Sequence, residues 1–157
     1  MQLEDEALKL YTEKQLGKLE ETLKTNFKDK SLLIRALSHK SPLGNPLTSK
    51  DENKRLGLIG DKLIDLVLFE KLHREGASLK VMDDTRQSTS RGLKLNAIAR
   101  NLGLEQYLYL NDGTEDRVIK ESQSLFEDSF EAIVGALYLD RGFVEAVGFV
   151  KRYLIKA

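Results

Sequence analysis

Residues 56–72, LGLIGDKLIDLVLFEKL, constrain the fold more than any other stretch of this chain. Read at helical spacing, their apolar side chains run nearly all the way round, and a helix of that kind has to be enclosed by others. Leu56, Ile59, Leu63 and Val67 form one side. Asp61 falls on another, flanked in projection by Ile64 and Leu68, with Gly57 one turn earlier. A second helix is predicted over residues 125–142, where Phe126, Phe130, Ile133, Val134, Leu137 and Tyr138 recur near helical spacing and Gly142 is placed to stop it. Residues 132–139 carry no charge, so that half is expected to be buried too.

Both helices carry acids where a core helix should not. Asp128 and Glu131 are three residues apart and project side by side. On most helices such a pair is a solvated face, or an acid favoured by the dipole near a helix start. Asp61 in its apolar surroundings is of the same chemical kind, because a buried carboxylate needs a donor, a counter-charge or a metal. Taken alone, Asp61 is expected to meet a Lys or Arg. Taken with Asp128 and Glu131, it makes a three-carboxylate set on two central helices. Oxygen donors with no Cys and only two His point to Mg²⁺ or Mn²⁺ and away from zinc.

The remaining chain supplies the setting. Residues 3–24 read as a charge-rich helix with Leu8, Tyr11, Leu16, Leu19 and Leu23 turned inward, packing on its own domain. Asp29 is placed to cap a helix through Leu32, Leu33, Ala36 and Leu37, and His39 after it is expected to be a helix-end or core histidine. Residues 41–53, with Pro42, Gly44 and Pro46, read as a loop, and residues 73–78 as a turn around Gly76 with His73 exposed. A helical region over 82–102 is closed by Gly103. Its Arg86, Arg91, Lys94 and Arg100 form no single face, so a solvated helix is the default. Residues 111–116 read as a polar turn, and 143–157 as a last helix with Phe149 and Leu154 inward. Lys plus Arg equals Asp plus Glu at 25 each, so no net field draws the chain to a polyanion, although a local patch could serve. The absence of Cys excludes thiolate catalysis and a disulfide frame. With no apolar run of membrane-spanning length and no signal pattern over 1–10, the expected location is intracellular, cytoplasm and nucleus not being distinguished.

At this point the residues resemble a family. NKRLGLIGDKLIDLVL over 53–68 is similar to the ribonuclease III signature, usually NERLEFLGD followed by an apolar helix, and SLFEDSFEAIVGALYLDRG over 124–142 is similar to that family's second acidic motif. NFKDKSLLIRALSHKS over 26–41 and LNAIARNLGLEQYLYL over 95–110 match flanking segments, so the likeness runs in order from about residue 19 to 150. It implies an all-α, ribonuclease III endonuclease-type helical domain. A single domain over 1–157 is expected, with 1–24 as an N-terminal helical extension and 25–157 as the core.

The same resemblance implies metal-assisted hydrolysis of double-stranded RNA, with Asp61, Asp128 and Glu131 as catalytic metal ligands for Mg²⁺ or Mn²⁺ and with Arg86 and Arg91 against the RNA backbone. It implies a homodimer in which Leu58 inserts into the partner. Three departures stand out. Position 57 is Gly where the family usually has Glu, Lys54 replaces another acid, and the Glu of a following Glu-Gly-x-Leu segment has no counterpart, Leu79 and Glu75 falling nearest. The compact Mini-III branch also lacks the Glu at the position-57 equivalent, so hydrolysis does not require it there. The family commonly adds a double-stranded-RNA-binding domain, for which these 157 residues hold no room, so RNA is expected to be held by the catalytic domain or a partner. Three function classes stay open: the nuclease, a catalytically impaired RNA-binding or ribosome-associated scaffold, and a purely helical protein-interaction module, which would leave Asp61 without a reason.

Overall fold

The computed structural model describes residues 13–39, 52–109 and 122–155. Helices α1 (Glu13–Leu23), α2 (Lys30–Leu37), α3 (Glu52–Arg74), α4 (Leu79–Gln87), α5 (Ser90–Asn101), α6 (Gln123–Arg141) and α7 (Phe143–Val150) are joined by a 3₁₀ turn, Leu104–Tyr107, and followed by a π turn, Lys151–Ile155. Among the described residues there is no strand, only an isolated bridge between Ser38 and Tyr109. The fold is all-α, as expected.

Two helices form the spine. Among the described residues α3 and α6 make the most extensive contact, and α2, α5 and α7 pack around α6. Phe126, Phe130, Ala132, Ile133, Val134, Ala136 and Leu137 are fully buried along α6. Phe130 stacks on Phe149 of α7 at 5.6 Å between ring centroids, and Tyr153 closes the group at 5.0 Å from Phe149. α1 belongs to the same core through Leu16, Leu19 and Leu23, and the Tyr153 hydroxyl donates to the Leu23 carbonyl at 2.9 Å. Leu8 and Tyr11, expected on that inner face, lie outside the described residues.

Glycines set how closely α3 and α6 approach. A Cβ on Gly60 would fall 1.8 Å from the carbonyl oxygen of Glu131, and one on Gly135 would fall 2.0 Å from that of Leu56. The two backbones therefore touch where no side chain can stand, and this contact holds the segment carrying Asp61 against the turn carrying Glu131.

Helix ends follow the local chemistry. Asp29 caps α2, its Oδ1 accepting from the Ser31 N–H at 2.9 Å, while the Asp140 carboxylate accepts from the backbone N–H groups of Lys28 and Asp29. Ser122 caps α6, and Gly142 at φ 90° ends it. The region expected to be one helix over 82–102 is two. Ser88 Oγ accepts from the Ser90 N–H at 3.0 Å, so the Ser-Thr-Ser run offers the backbone a partner other than the helix ladder and breaks it there. The loop expected over 41–53 ends sooner, with Glu52 and Asn53 already in α3 and the buried Asn53 amide donating to the Ala36 carbonyl; residues 40–51 lie outside the described set. So do 111–116, expected as a polar turn. The last helix is also shorter than expected, giving way to the π turn after Val150, although Phe149 and Leu154 are inward.

One expectation for α3 needs correcting. Its apolar residues are not all enclosed: Leu58 is 66% exposed and Leu66 51%. With Tyr138 and Phe143 they border an apolar groove of about 470 Å³. No helix among the described residues is long and apolar enough to cross a membrane.

Candidate active site

The backbone contact at Gly60 places Asp61 beside Glu131, and Arg91 joins them. From the first turn of α5, Arg91 Nη2 donates to Glu131 Oε1 at 2.9 Å and forms an ion pair with Asp61 Oδ1 at 2.8 Å. Its Nε lies 3.4 Å from Asp65 Oδ1 and is buried without a hydrogen bond of its own. The Arg91 side chain is only 18% exposed. Arg91 was expected on an RNA-facing surface; it is instead turned inward, because the acids of α3 and α6 attract a permanent cation and a guanidinium reaches two carboxylates at once. The sequence also led us to expect α5 to be solvated, yet Arg100 lies over the Phe126 ring, 4.2 Å from its centroid. Arg86 does lie on the exposed surface, with Asp83 at 3.2 Å.

Two further acids belong to this cluster. Asp65 follows Asp61 by one turn on the same helix face, a spacing visible in the sequence. Glu127 sits against Gly92, where a Cβ would come within 2.7 Å of its Oε2. That glycine lets the carboxylate approach the first turn of α5, where the helix dipole favours negative charge. Nothing in the sequence pointed to this pairing across 35 positions.

Burial dominates the electrostatics of the cluster. Burial pushes the Glu131 carboxyl up to about 8; Arg91 opposes this, while Asp61, Glu127 and Asp128 add to it. Burial raises Glu127 as well, against Arg91. Asp128 is raised by burial and drawn down by Lys54. Asp61, Asp128 and Glu131 open together on a cleft of about 330 Å³ that is also lined by Asn53, Lys54, Gly57 and Leu58. At Gly57 the cleft has room, since a Cβ there would find its nearest neighbour, the Asp128 carbonyl oxygen, at 3.9 Å.

Among the described residues, no three carboxylates converge as a closed metal-ligand set. Asp61 and Glu131 each turn an oxygen to Arg91, and the other oxygen of Asp61 lies 3.4 Å from Nζ of the exposed Lys62. The donor chemistry nonetheless fits a hard divalent cation, because carboxylate oxygens of three residues line one cleft and burial raises the carboxyls of Glu131 and Asp128, which a cation there would offset. His39 takes no part. Its Nε2 lies 2.7 Å from Ser129 Oγ, whose proton goes to the Leu125 carbonyl at 2.6 Å, and burial lowers the imidazole to about 4. It is a core histidine, as expected, and His73 is exposed.

A family model described as Ribonuclease-III-like matches residues 29–157. The chain belongs to the ribonuclease-III-like family. It is 34% identical over 143 residues to Ribonuclease 3 of Nitratidesulfovibrio vulgaris, covering 90% of this chain and 56% of that protein. It is also 34% identical over 145 residues to Ribonuclease 3 of Campylobacter jejuni, covering 91% of this chain and 62% of that one. The chain thus spans little more than half the length of these relatives. The solved nuclease domain of Campylobacter jejuni ribonuclease III, described for structural flexibility in the region involved in its dimer formation, superposes with a TM-score of 0.74 at 30% identity, covering 90% of this chain and 99% of that one. The fold is therefore that of a ribonuclease III nuclease domain.

Proposed function

We propose that the protein is a divalent-metal-dependent endoribonuclease that hydrolyses double-stranded RNA in RNA processing inside the cell. The observation that supports this reading is that Asp61, Asp128 and Glu131, from two helices locked at Gly60 and Gly135, line one open cleft in a ribonuclease III nuclease fold.

In this reading Asp61, Asp128 and Glu131 would hold the cation. What a bound Mg²⁺ or Mn²⁺ supplies is a water of lowered pKa and charge to offset the leaving oxygen. The chain's own residues do the rest. The Gly60–Gly135 contact keeps two of the acids at fixed spacing, Arg91 holds one oxygen of each, and Glu131, whose carboxyl is raised by burial, would bind a cation as the carboxylate after losing its proton to solvent. Lys54, at the cleft mouth beside Asp128, is set to meet a phosphate, and Arg86 to meet the RNA backbone farther out. A-form RNA is read by shape, 2′-hydroxyls and phosphates, which suits a cleft with few base-reading groups.

The apolar groove completes the arrangement. Leu58 lines both the acid cleft and the groove of Leu63, Leu66, Tyr138 and Phe143. A symmetric homodimer would cover these side chains with the same patch of a second copy, seat Leu58 in the partner and bring two acid clefts to one RNA.

Incubation with a perfect RNA duplex in Mg²⁺ or Mn²⁺ tests the reading, and discrete cleavage that stops on chelation is expected. The second reading, a catalytically impaired RNA-binding or ribosome-associated scaffold, draws on Gly57, which brings no carboxylate to the cleft, and on Arg91, which engages two of the acids. Duplex binding without cleavage at any metal concentration would favour it.

A further inference from the structure

Arg91 raises a question of its own, which rests on the reading that Asp61, Asp128 and Glu131 hold a divalent cation. Its guanidinium touches Asp61, Asp65 and Glu131, yet Arg91 does not line the cleft onto which Asp61, Asp128 and Glu131 open. The acids are thus approached from two sides, an inner side filled by Arg91 and an outer side that is open. A guanidinium keeps its charge at every accessible pH and presents its donors in a fixed fork. It engages one oxygen of Asp61 and one of Glu131; the other oxygen of Asp61 lies 3.4 Å from Nζ of the exposed Lys62, so the cation on that side of Asp61 is a solvent-exposed lysine that an ion entering the cleft can displace, and Asp128 lines the same cleft. The outer side is also thin in acid: position 57 contributes no carboxylate, and Lys54 stands at the rim.

We infer that Arg91 is a resident cation occupying the inner side of the acid cluster, so that each chain accepts one divalent ion, on the cleft side, and not a pair. Arg91 is in this account a positioning residue. It orients Asp61 and Glu131 and sets how much positive charge the cluster still lacks.

Counting Mn²⁺ bound to the full chain, by the loss of the free-ion paramagnetic resonance signal, tests this. Wild type should bind one ion per chain. Arg91→Ala should bind either a second ion or the first about tenfold more tightly, since a like charge a few ångströms from the ion has gone. Without metal Arg91→Ala should melt below wild type, and Mn²⁺ should raise its melting temperature more than it raises that of wild type. Arg91→Gln, which keeps a donor but not the charge, is measured beside it in case the alanine chain does not fold, and should show the same gain in metal binding. Two ions per wild-type chain, both lost in Asp128→Asn, would overturn the role given to Arg91 and leave the metal site standing. So would Arg91 variants with wild-type stoichiometry, affinity and thermal shift. No Mn²⁺ bound to wild type, or binding indifferent to Asp128→Asn, would overturn the metal site together with the inference.

Discussion

Gly57 and Gly60 stand one turn apart on α3 and face the same helix, but in opposite circumstances. At Gly60 the neighbouring backbone occupies the place of a Cβ; at Gly57 the nearest atom is at ordinary van der Waals distance. One glycine is a fastening and the other leaves space. The lesson concerns the acids beside them. Asp61 meets Glu131 because two backbones touch, and the cleft is open because a side chain is missing one turn away.

The largest effect should come from closing the fastening. Gly60→Ala pushes a methyl group into the Glu131 carbonyl, and we expect it to lower unfolding free energy by about 3 kcal/mol or more, read in a urea titration. Little change would mean that the helices can part without harm.

Next in size is the pH dependence of the metal-free protein. The unfolded chain ionises Glu131 near 4.5, whereas the folded chain holds that proton up to about 8. The unfolded state therefore binds fewer protons between those values, and stability should fall as pH rises from about 4.5 to about 8. Glu131→Gln should flatten that slope in melts across the range. A slope unchanged by the substitution would place the raised carboxyl elsewhere.

Leu58, next to Gly57 but outward, gives a smaller and different readout. Leu58→Asp should leave the fold intact and turn a sedimenting dimer into a monomer. A dimer that survives the change would deny the groove its role.

The smallest effect, and of opposite sign to the first, is expected at Gly57. Gly57→Ala should raise stability by roughly 0.5–1 kcal/mol, because alanine in a helix interior is favoured where space permits. A loss comparable to that at Gly60 would erase the contrast.

Much of this was legible in the residues. The apolar spacing in 56–72 and 125–142 marked the two central helices, and Asp61, Asp128 and Glu131 stood out as acids that such helices should not carry. Other parts were not legible, for physical reasons. Helical periodicity reports that Leu58 and Leu66 are apolar, but not whether their own chain covers them; the resemblance alone set Leu58 apart as a contact to a partner, and Leu66 read as core. Gly60 and Gly135 interrupt apolar helices, a signal that backbones approach there, but only the pairing of α3 with α6 shows which atoms meet. Arg91 lay in a segment with no clean face, 30 positions from Asp61 and 40 from Glu131, and only the fold brings it between them.

The central claim is that acids from two helices act as one site, and cleavage of an RNA duplex by Asp61→Asn, Glu131→Gln and the double variant tests it most directly. Each single change should slow cleavage on the order of 100-fold or more, and the double should be no slower than the worse single, because either loss already disables the shared site. Wild-type cleavage by either single variant, or losses that multiply in the double, would contradict it.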